Sequence, residues 1–345
     1  MKPGPARRDQ RRRSCPGRRH QDRLIVTQPD VSVIIAAWKA ERFLEQAVAS
    51  ALVSSGVNVE VVIVDDASPD GTTALAQRLA ARDGRVIASR LESNGGPSAA
   101  RNRAIGLASG RFIAVLDADD TLAPDRLARL IRHAEATGAD IVVDNMFEVD
   151  QAGAHLTRTG FLTSEAFTQD RTIDLATWVN FNEPMKRGDC IGYLKPVIRR
   201  DALPRCGAVY DTALRNSEDY YLVAGLLAQG RRMAYLAQPG YFYTRSAGST
   251  SHRLMPEHTQ AWLDAERRFA DANGTKLSTA DKQAIARRWR TLRNVHQLVA
   301  TTEAVKSRKL GNALGALLSD LRGAVYTLGF FSRIALGKVL RRKLV

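Results

Sequence analysis

The 345-residue sequence predicts an α/β protein: a mostly parallel sheet flanked by helices, with a C-terminal helical extension. Three features predict it. Short β-branched runs alternate with segments of helical period from Val31 to Asn145, as in βαβ units with right-handed crossovers. Carboxylates crowd where two of those runs end. From Pro256 onward the period is helical almost to the last residue.

Each element follows from its residues. "VSVIIAA" (31–37) reads as a fully buried parallel strand. Phe43, Leu44, Ala47, Val48, Ala51 and Leu52 then fall at helical spacing, and Gly56 ends that helix. "VEVVIVDD" (59–66) is a second strand, "ASPDGT" is turn chemistry, and Thr72 to Arg82 is a helix. "RVIAS" (85–89) is a third strand, and "GGPSAARNRAIGLAS" turns into a helix with Gly110 as its C′ residue. "RFIAVL" is strand four, followed by a helix with Pro124 in its first turn and by "ADIVVDN" (139–145), strand five. Residues 146–190 lack a period and read as loops around one short helix near 174–180. "GYLKPVIRR" reads as an edge strand, and "SEDYYLVAGLLAQG" (217–230) as a helix with Ser217 as N-cap and Gly230 closing it. "RMAYLA" and "GYFYTR" read as two short strands.

The net charge of +15 suits an anionic partner. Residues 1–24 hold nine basic and two acidic side chains, so +7 of the total lies there. That segment has no apolar core of a secretory signal and reads as a basic, solvated tail over 1–29. Residues 30–253 then form the main domain and 254–345 the helical extension. Cys15, Cys190 and Cys206 include no C-x-x-C pair, which argues against a disulfide framework or zinc site and for a reducing cytosolic setting. No uncharged apolar run approaches the roughly 18–20 residues that span a bilayer.

In parallel sheets ligands bind beyond the carboxyl ends of the strands. Asp65 and Asp66 end strand two, and Asp117 and Asp119 end strand four, so both acidic pairs fall on that rim. Asp117 and Asp119, two apart, point to one side of a strand and suit Mg²⁺ or Mn²⁺, which share themselves with substrate phosphates. An acidic loop that merely favours the next helix is the bland alternative. Glu218 and Asp219 open a helix, either as decoration of its dipole or as a general base beside an acceptor hydroxyl.

Taken in order, "VSVIIAAWKAERFLEQAVASAL", "VEVVIVDDASPDGT", "NGGPSAARNRAIGLASGRFIAVLDADD" and "EDYYLVAGLLAQG" resemble family 2 glycosyltransferases with the GT-A fold, over roughly Val31 to Arg253. "GYLKP" with "GSTSHR" is similar to bacterial exopolysaccharide enzymes of the succinoglycan β-glucosyltransferase type. The resemblance implies a UDP-sugar donor, glucose in the narrower match, and a Rossmann-like sheet. It implies that Asp65 binds the uracil N–H, that Arg101 lies near base and diphosphate, and that Asp117 contacts the ribose. Asp119 would ligate Mn²⁺ or Mg²⁺, and Asp219 would be the catalytic base of an inverting reaction with Glu218 positioning it or the acceptor. Ala36 and Trp38 match a Pro and a Tyr beside the nucleotide; Trp38 keeps an aromatic face, while Ala36 loses a rigid φ. Ser246 stands where the family often has His, and His252 is a candidate substitute, with a surface histidine as the plainer reading. The implied acceptor is a glycan or lipid-linked sugar of exopolysaccharide or cell-surface assembly.

Near the C-terminus Leu314, Leu317, Leu318, Leu321, Val325, Leu328, Ala335 and Val339 share one helical stripe flanked by arginines. This is the signature of an amphipathic helix on anionic lipid, here on the inner face of the plasma membrane; packing on the protein's own core is the alternative. Rival functions fare worse. A nucleotidyltransferase should carry a glycine-rich loop after strand one, where "AAWKAERF" has no glycine. A phospho-accepting receiver domain is far shorter. Nucleic acid is not expected as a partner, because carboxylates on the binding rim repel phosphate unless metal is bound.

Overall fold

The computed structural model describes residues 28–186, 188–245, 254–318 and 320–342. Residues 1–27 of the proposed basic tail and the positions of Ser246 and His252 lie outside these residues; the tail's last two residues are instead tied to the domain, Gln28 donating to the Ser109 carbonyl at 2.9 Å and the Pro29 carbonyl accepting from the Arg111 amide at 3.0 Å. The first half runs β1 (Val31–Ala37), α1 (Leu44–Leu52), β2 (Val59–Asp65), α2 (Thr72–Arg82), β3 (Val86–Arg90), α3 (Pro97–Leu107), β4 (Phe112–Val115), β5 (Thr121–Leu122), α4 (Arg126–Thr137) and β6 (Ile141–Val149). The second half runs β7 (Arg171–Ile173), α5 (Leu175–Asn180), β8 (Val197–Arg199), α6 (Glu218–Ala228), β9 (Met233–Thr244), α7 (Pro256–Asn273), α8 (Thr279–Lys306), α9 (Leu310–Leu318) and α10 (Leu321–Arg342).

The sheet order is β3-β2-β1-β4-β8-β6-β9-β5, with β7 also paired to β9. β3, β2, β1 and β4 are mutually parallel, so helices cover both faces and β1, β2 and β4 are almost wholly buried. Each of their Val and Ile side chains contributes about 1.5–3 kcal/mol by leaving water. Two sequence readings need correction. β8 is not an edge strand: it lies antiparallel between β4 and β6. The two short strands after α6 are one strand, β9, which accommodates a register shift opposite Asp144–Met146 of β6.

Local chemistry also differs from expectation at Gly110. α3 ends at Leu107, and a Cβ at Gly110 would sit 2.5 Å from the Ser32 amide nitrogen. Glycine is required there by close approach, not as a cap. Buried Glu60 holds the same crossing, accepting from the Ser32 hydroxyl at 2.6 Å and the Ser109 amide at 2.8 Å. Cys190 is a free thiol.

The sheet's centre is pinned by a buried ion pair. Arg126 of α4 and Asp144 of β6 are fully enclosed and 2.9 Å apart, with Arg129 at 3.1 Å on the same carboxylate. Burial is costly for such charges, and removing one partner strands the other. Asp144→Ala should therefore destabilise the fold by about 3–5 kcal/mol in chemical denaturation; a loss under about 1 kcal/mol would contradict that role.

Candidate active site

The rim at the carboxyl ends of β1, β2 and β4 carries the predicted residues, and α6 brings Glu218 and Asp219 to it. Asp117 lies two residues beyond the end of β4 and meets two cations: Arg101 Nη2 at 2.8 Å and Lys195 Nζ at 2.7 Å. Burial alone would raise the Asp117 pKa, but Lys195 and Arg101 outweigh it and hold it down to about 2. Arg101, from α3, is 5% exposed and also reaches Glu218 Oε1 at 2.5 Å and Asp219 Oδ1 at 3.5 Å. One guanidinium thus gathers the acid after β4 and both acids of α6. Burial pushes Glu218 upward against the pull of Arg101.

The other predicted residues stand around this hub. Asp65 is fully buried and already engaged: Oδ1 accepts from the Ser68 amide, and Oδ2 meets the Thr73 hydroxyl and, at 3.4 Å, Arg90. Its neighbour Asp66 accepts from the Gly95 and Gly96 amides at 2.7 and 2.8 Å, which ties the turn before α3 to the end of β2. Ala36 is half-buried near the end of β1, while Trp38 just beyond it is 43% exposed, with the Lys39 ammonium 5.5 Å from its ring centroid. Asp120, unassigned in the sequence, is buried and accepts from Tyr241 Oη and the Thr244 amide, anchoring the Asp117–Asp120 turn to β9.

Strain collects at the same place. Of the five described non-glycine residues with positive φ, Lys39, Ala67 and Ser217 adjoin Trp38, Asp66 and Glu218. Ser217 stands at the N-cap position as expected, but at φ 63° and without a side-chain capping bond. Such conformations persist where surrounding structure over-determines them, commonly at functional sites.

Asp119 is the exception in an otherwise paired site. Burial first, then the Asp117 charge, raises its pKa to about 6, and only its own backbone amide and the Lys195 charge act the other way. No three His, Cys, Asp or Glu side chains form a metal cage among the described residues. One under-compensated carboxylate nevertheless fits Mg²⁺ or Mn²⁺, which keep several waters and take further oxygens from phosphates. The donor set therefore suits a cation shared with a substrate.

Comparison with known proteins identifies the lineage. Residues 32–201 match the family model "Glycosyl transferase family 2". The Rhizobium meliloti succinoglycan biosynthesis protein ExoO is 39% identical over 85% of this chain and 82% of its own. The chain belongs to glycosyl transferase family 2. ExoU of the same organism is 35% identical over 84% of this chain and 83% of its own. Among solved structures, S. aureus TarS (residues 1–349, with UDP-GlcNAc) matches at TM-score 0.60 and 18% identity, covering 83% of this chain and 90% of that one. The Pyrobaculum calidifontis mannosyltransferase PcManGT, with GDP-Man and Mn²⁺, matches at TM-score 0.55 and 19% identity over 92% and 83% of the two chains. The fold is thus that of these GT-A neighbours, and membership of the family makes the chain a glycosyltransferase. The nucleotidyltransferase and nucleic-acid readings fall away.

One residue was missed in the sequence and one misread. Lys195 lies inside "GYLKP" but carries no acidic neighbour to mark it, and Asp66 reads as a ligand-facing acid although it is spent on a turn.

The Asp119 shift yields a stability test without metal. The folded state keeps this proton up to about pH 6 and the unfolded chain only to near 3.8, so the site loses stability as pH rises between those values. Asp119→Asn should remove that loss. At pH 7.5 in EDTA we expect the variant to be more stable by about 1–2 kcal/mol, after discounting for partial exposure, with the difference gone near pH 4. Equal melting curves at both pH values would contradict the shift.

Proposed function

We propose that the protein is a metal-dependent inverting glycosyltransferase that moves a sugar, glucose by the resemblance of its "GYLKP" and "GSTSHR" segments to β-glucosyltransferases, from a UDP-sugar to a glycan or lipid-linked acceptor. The observation that carries this is the Arg101 hub, which joins the strand-end acid Asp117 to the helix-start acids Glu218 and Asp219. Residues 30–253 form the catalytic unit and 254–345 a helical extension.

The donor lies across the rim, its base and ribose toward Trp38, Ala36, Asp65 and Asp117, with Arg101 near the diphosphate. Asp119 would hold Mn²⁺ or Mg²⁺, which when bound offsets the charge that develops on the departing diphosphate. Asp219 takes the proton of the acceptor hydroxyl as its oxygen attacks the anomeric carbon. The new C–O bond forms on the face opposite the breaking one, whose electron pair leaves with the UDP, so an α-linked donor gives a β-glycoside. Glu218, held by Arg101, keeps the start of α6 in place for that attack.

The setting is the inner face of the plasma membrane, approached peripherally. No described helix is long and apolar enough to cross a membrane. The stripe on α9 and α10 is open: Leu314, Leu318, Leu321, Val325 and Leu328 are 58–73% exposed. Packing on the protein's own core therefore does not account for these five. Exposed Arg308 and Lys309 precede them, and α10 contains Arg322, Arg333, Lys338, Arg341 and Arg342 without an acid. Apolar side chains flanked by cations suit a bilayer of anionic lipid.

A screen of radiolabelled UDP-sugars with membrane extract as acceptor tests the activity; incorporation from none of them would sink it. In the active combination, Asp219→Asn should lower turnover by about two to four orders of magnitude while UDP affinity holds. A loss confined to affinity would move Asp219 to the donor site. For the metal, Mn²⁺ should tighten UDP binding to the intact protein and not to Asp119→Ala, as calorimetry would reveal.

The membrane reading has its own test. The triple variant Leu321→Glu, Val325→Glu, Leu328→Glu alters exposed positions only. It should fold normally yet no longer sediment with phosphatidylglycerol vesicles, and the intact protein should leave such vesicles as salt rises. Unchanged sedimentation of the variant would refute the docking face.

A further inference from the structure

Lys195 is a largely buried cation that the mechanism above does not use. Its Nζ lies 2.7 Å from Asp117 Oδ2 and 3.7 Å from Asp219 Oδ2, with the side chain 11% exposed. Burial works against the ammonium's charge, but Asp117 and Asp219 outweigh it and keep the group protonated.

The backbone that delivers this ammonium is rigid. Pro196 restricts residue 195 to extended conformations. The Lys195 carbonyl accepts from buried Arg126 Nη2 at 2.7 Å, and the Pro196 carbonyl accepts from the Val115 amide of β4 at 3.2 Å. β8 begins at the next residue, paired on both sides. The Arg126–Asp144 pair therefore reaches the site through one carbonyl.

Asp219, beside the buried Tyr210 phenol, meets its two cations at longer range. Its Oδ1 is buried without a hydrogen-bond partner among the described residues, and Arg101 stands 3.5 Å from it. Lys195 faces the other oxygen. The two cations thus grip opposite oxygens of one carboxylate, and each also grips Asp117. We propose that Lys195 is a positioning residue for transfer: by tying Asp219 to Asp117 it fixes the rotation of the base relative to the donor's side of the site. This rests on the reading of Asp219 as base.

A double-mutant cycle tests it, using UDP release with the donor and extract selected by the screen above, and UDP affinity by calorimetry. Lys195→Met should lower kcat by about 10- to 100-fold, the usual cost of a slightly misplaced group. UDP affinity should stay within about threefold, because uniform binding is untouched. Lys195→Arg should recover most of the lost rate by restoring the charge. Adding Lys195→Met to Asp219→Asn should cost little more, since the lysine acts through the base. Losses that multiply in the double variant would overturn the proposal while leaving the base intact, as would a fall in UDP affinity matching the fall in rate. Full turnover by Asp219→Asn would instead refute the base, whatever Lys195 does. Should Lys195→Met not fold, the cycle runs with Lys195→Gln, and an undiminished rate in that variant also overturns the proposal.

Discussion

The site depends on the enclosure of one guanidinium by three carboxylates. Arg101 would be costly at 5% exposure without them, and Asp117, Glu218 and Asp219 would repel one another without it. Each side of this arrangement comes from a different part of the chain: α3 supplies the cation, the end of β4 one acid, and the start of α6 the other two. A parallel sheet makes the meeting possible because the end of β4 and the start of α3 share one rim. The far partner, α6, must be carried there by something else.

That carrier is the helical extension together with the strained loop before α6. Tyr221 donates its hydroxyl to the Trp262 carbonyl at 2.9 Å, and Trp262 Nε1 donates to Asn216 Oδ1 at 2.8 Å. Behind them Arg288 of α8 lies 3.8 Å from the Tyr220 ring centroid and pairs with buried Glu266 of α7 at 3.2 Å. Residues 216–221 are thus clamped from the α7–α8 side, which is what allows Ser217 to keep φ at 63°. The hydrophobic core is continuous here, running from the sheet into Phe269, Leu277, Ala284 and Ile285. Helices that read in the sequence as an appendage therefore support the residues proposed for catalysis.

Much of this was legible in the residues, and the boundary of legibility is physical. Period and β-branching marked β1, β2, β4 and their helices because a strand buried on both faces must be apolar throughout. Acid at strand ends marked the rim. What could not be read was pairing across distance: β8 is three residues long and inserts antiparallel between β4 and β6, a choice set by tertiary packing rather than by its own composition. Lys195 was hidden for the same reason, since its two acids arrive from elsewhere in the chain. Asp65 and Asp66 illustrate the opposite limit. Their type and place announce a site, yet their lone pairs are largely taken by Ser68, Thr73, Gly95 and Gly96.

The exposed stripe on α9 and α10 gains meaning from the same clamp. Gln297 of α8 donates to the carbonyls of Ala316, Leu317 and Asp320 at 2.7, 2.8 and 3.0 Å, so the junction of α9 and α10 is fastened to the helix that braces Tyr220. Gly323 permits the approach, because a Cβ there would collide with the Gln297 side chain. The apolar side chains that face outward are consequently not a loose tail: their base is fixed to α8, and α8 is fixed to the start of α6. A surface that engaged this stripe would hold the Asp219 side of the site in a defined orientation. For an acceptor whose carrier lies in a bilayer, that geometry removes part of the orientational entropy which transfer must otherwise overcome.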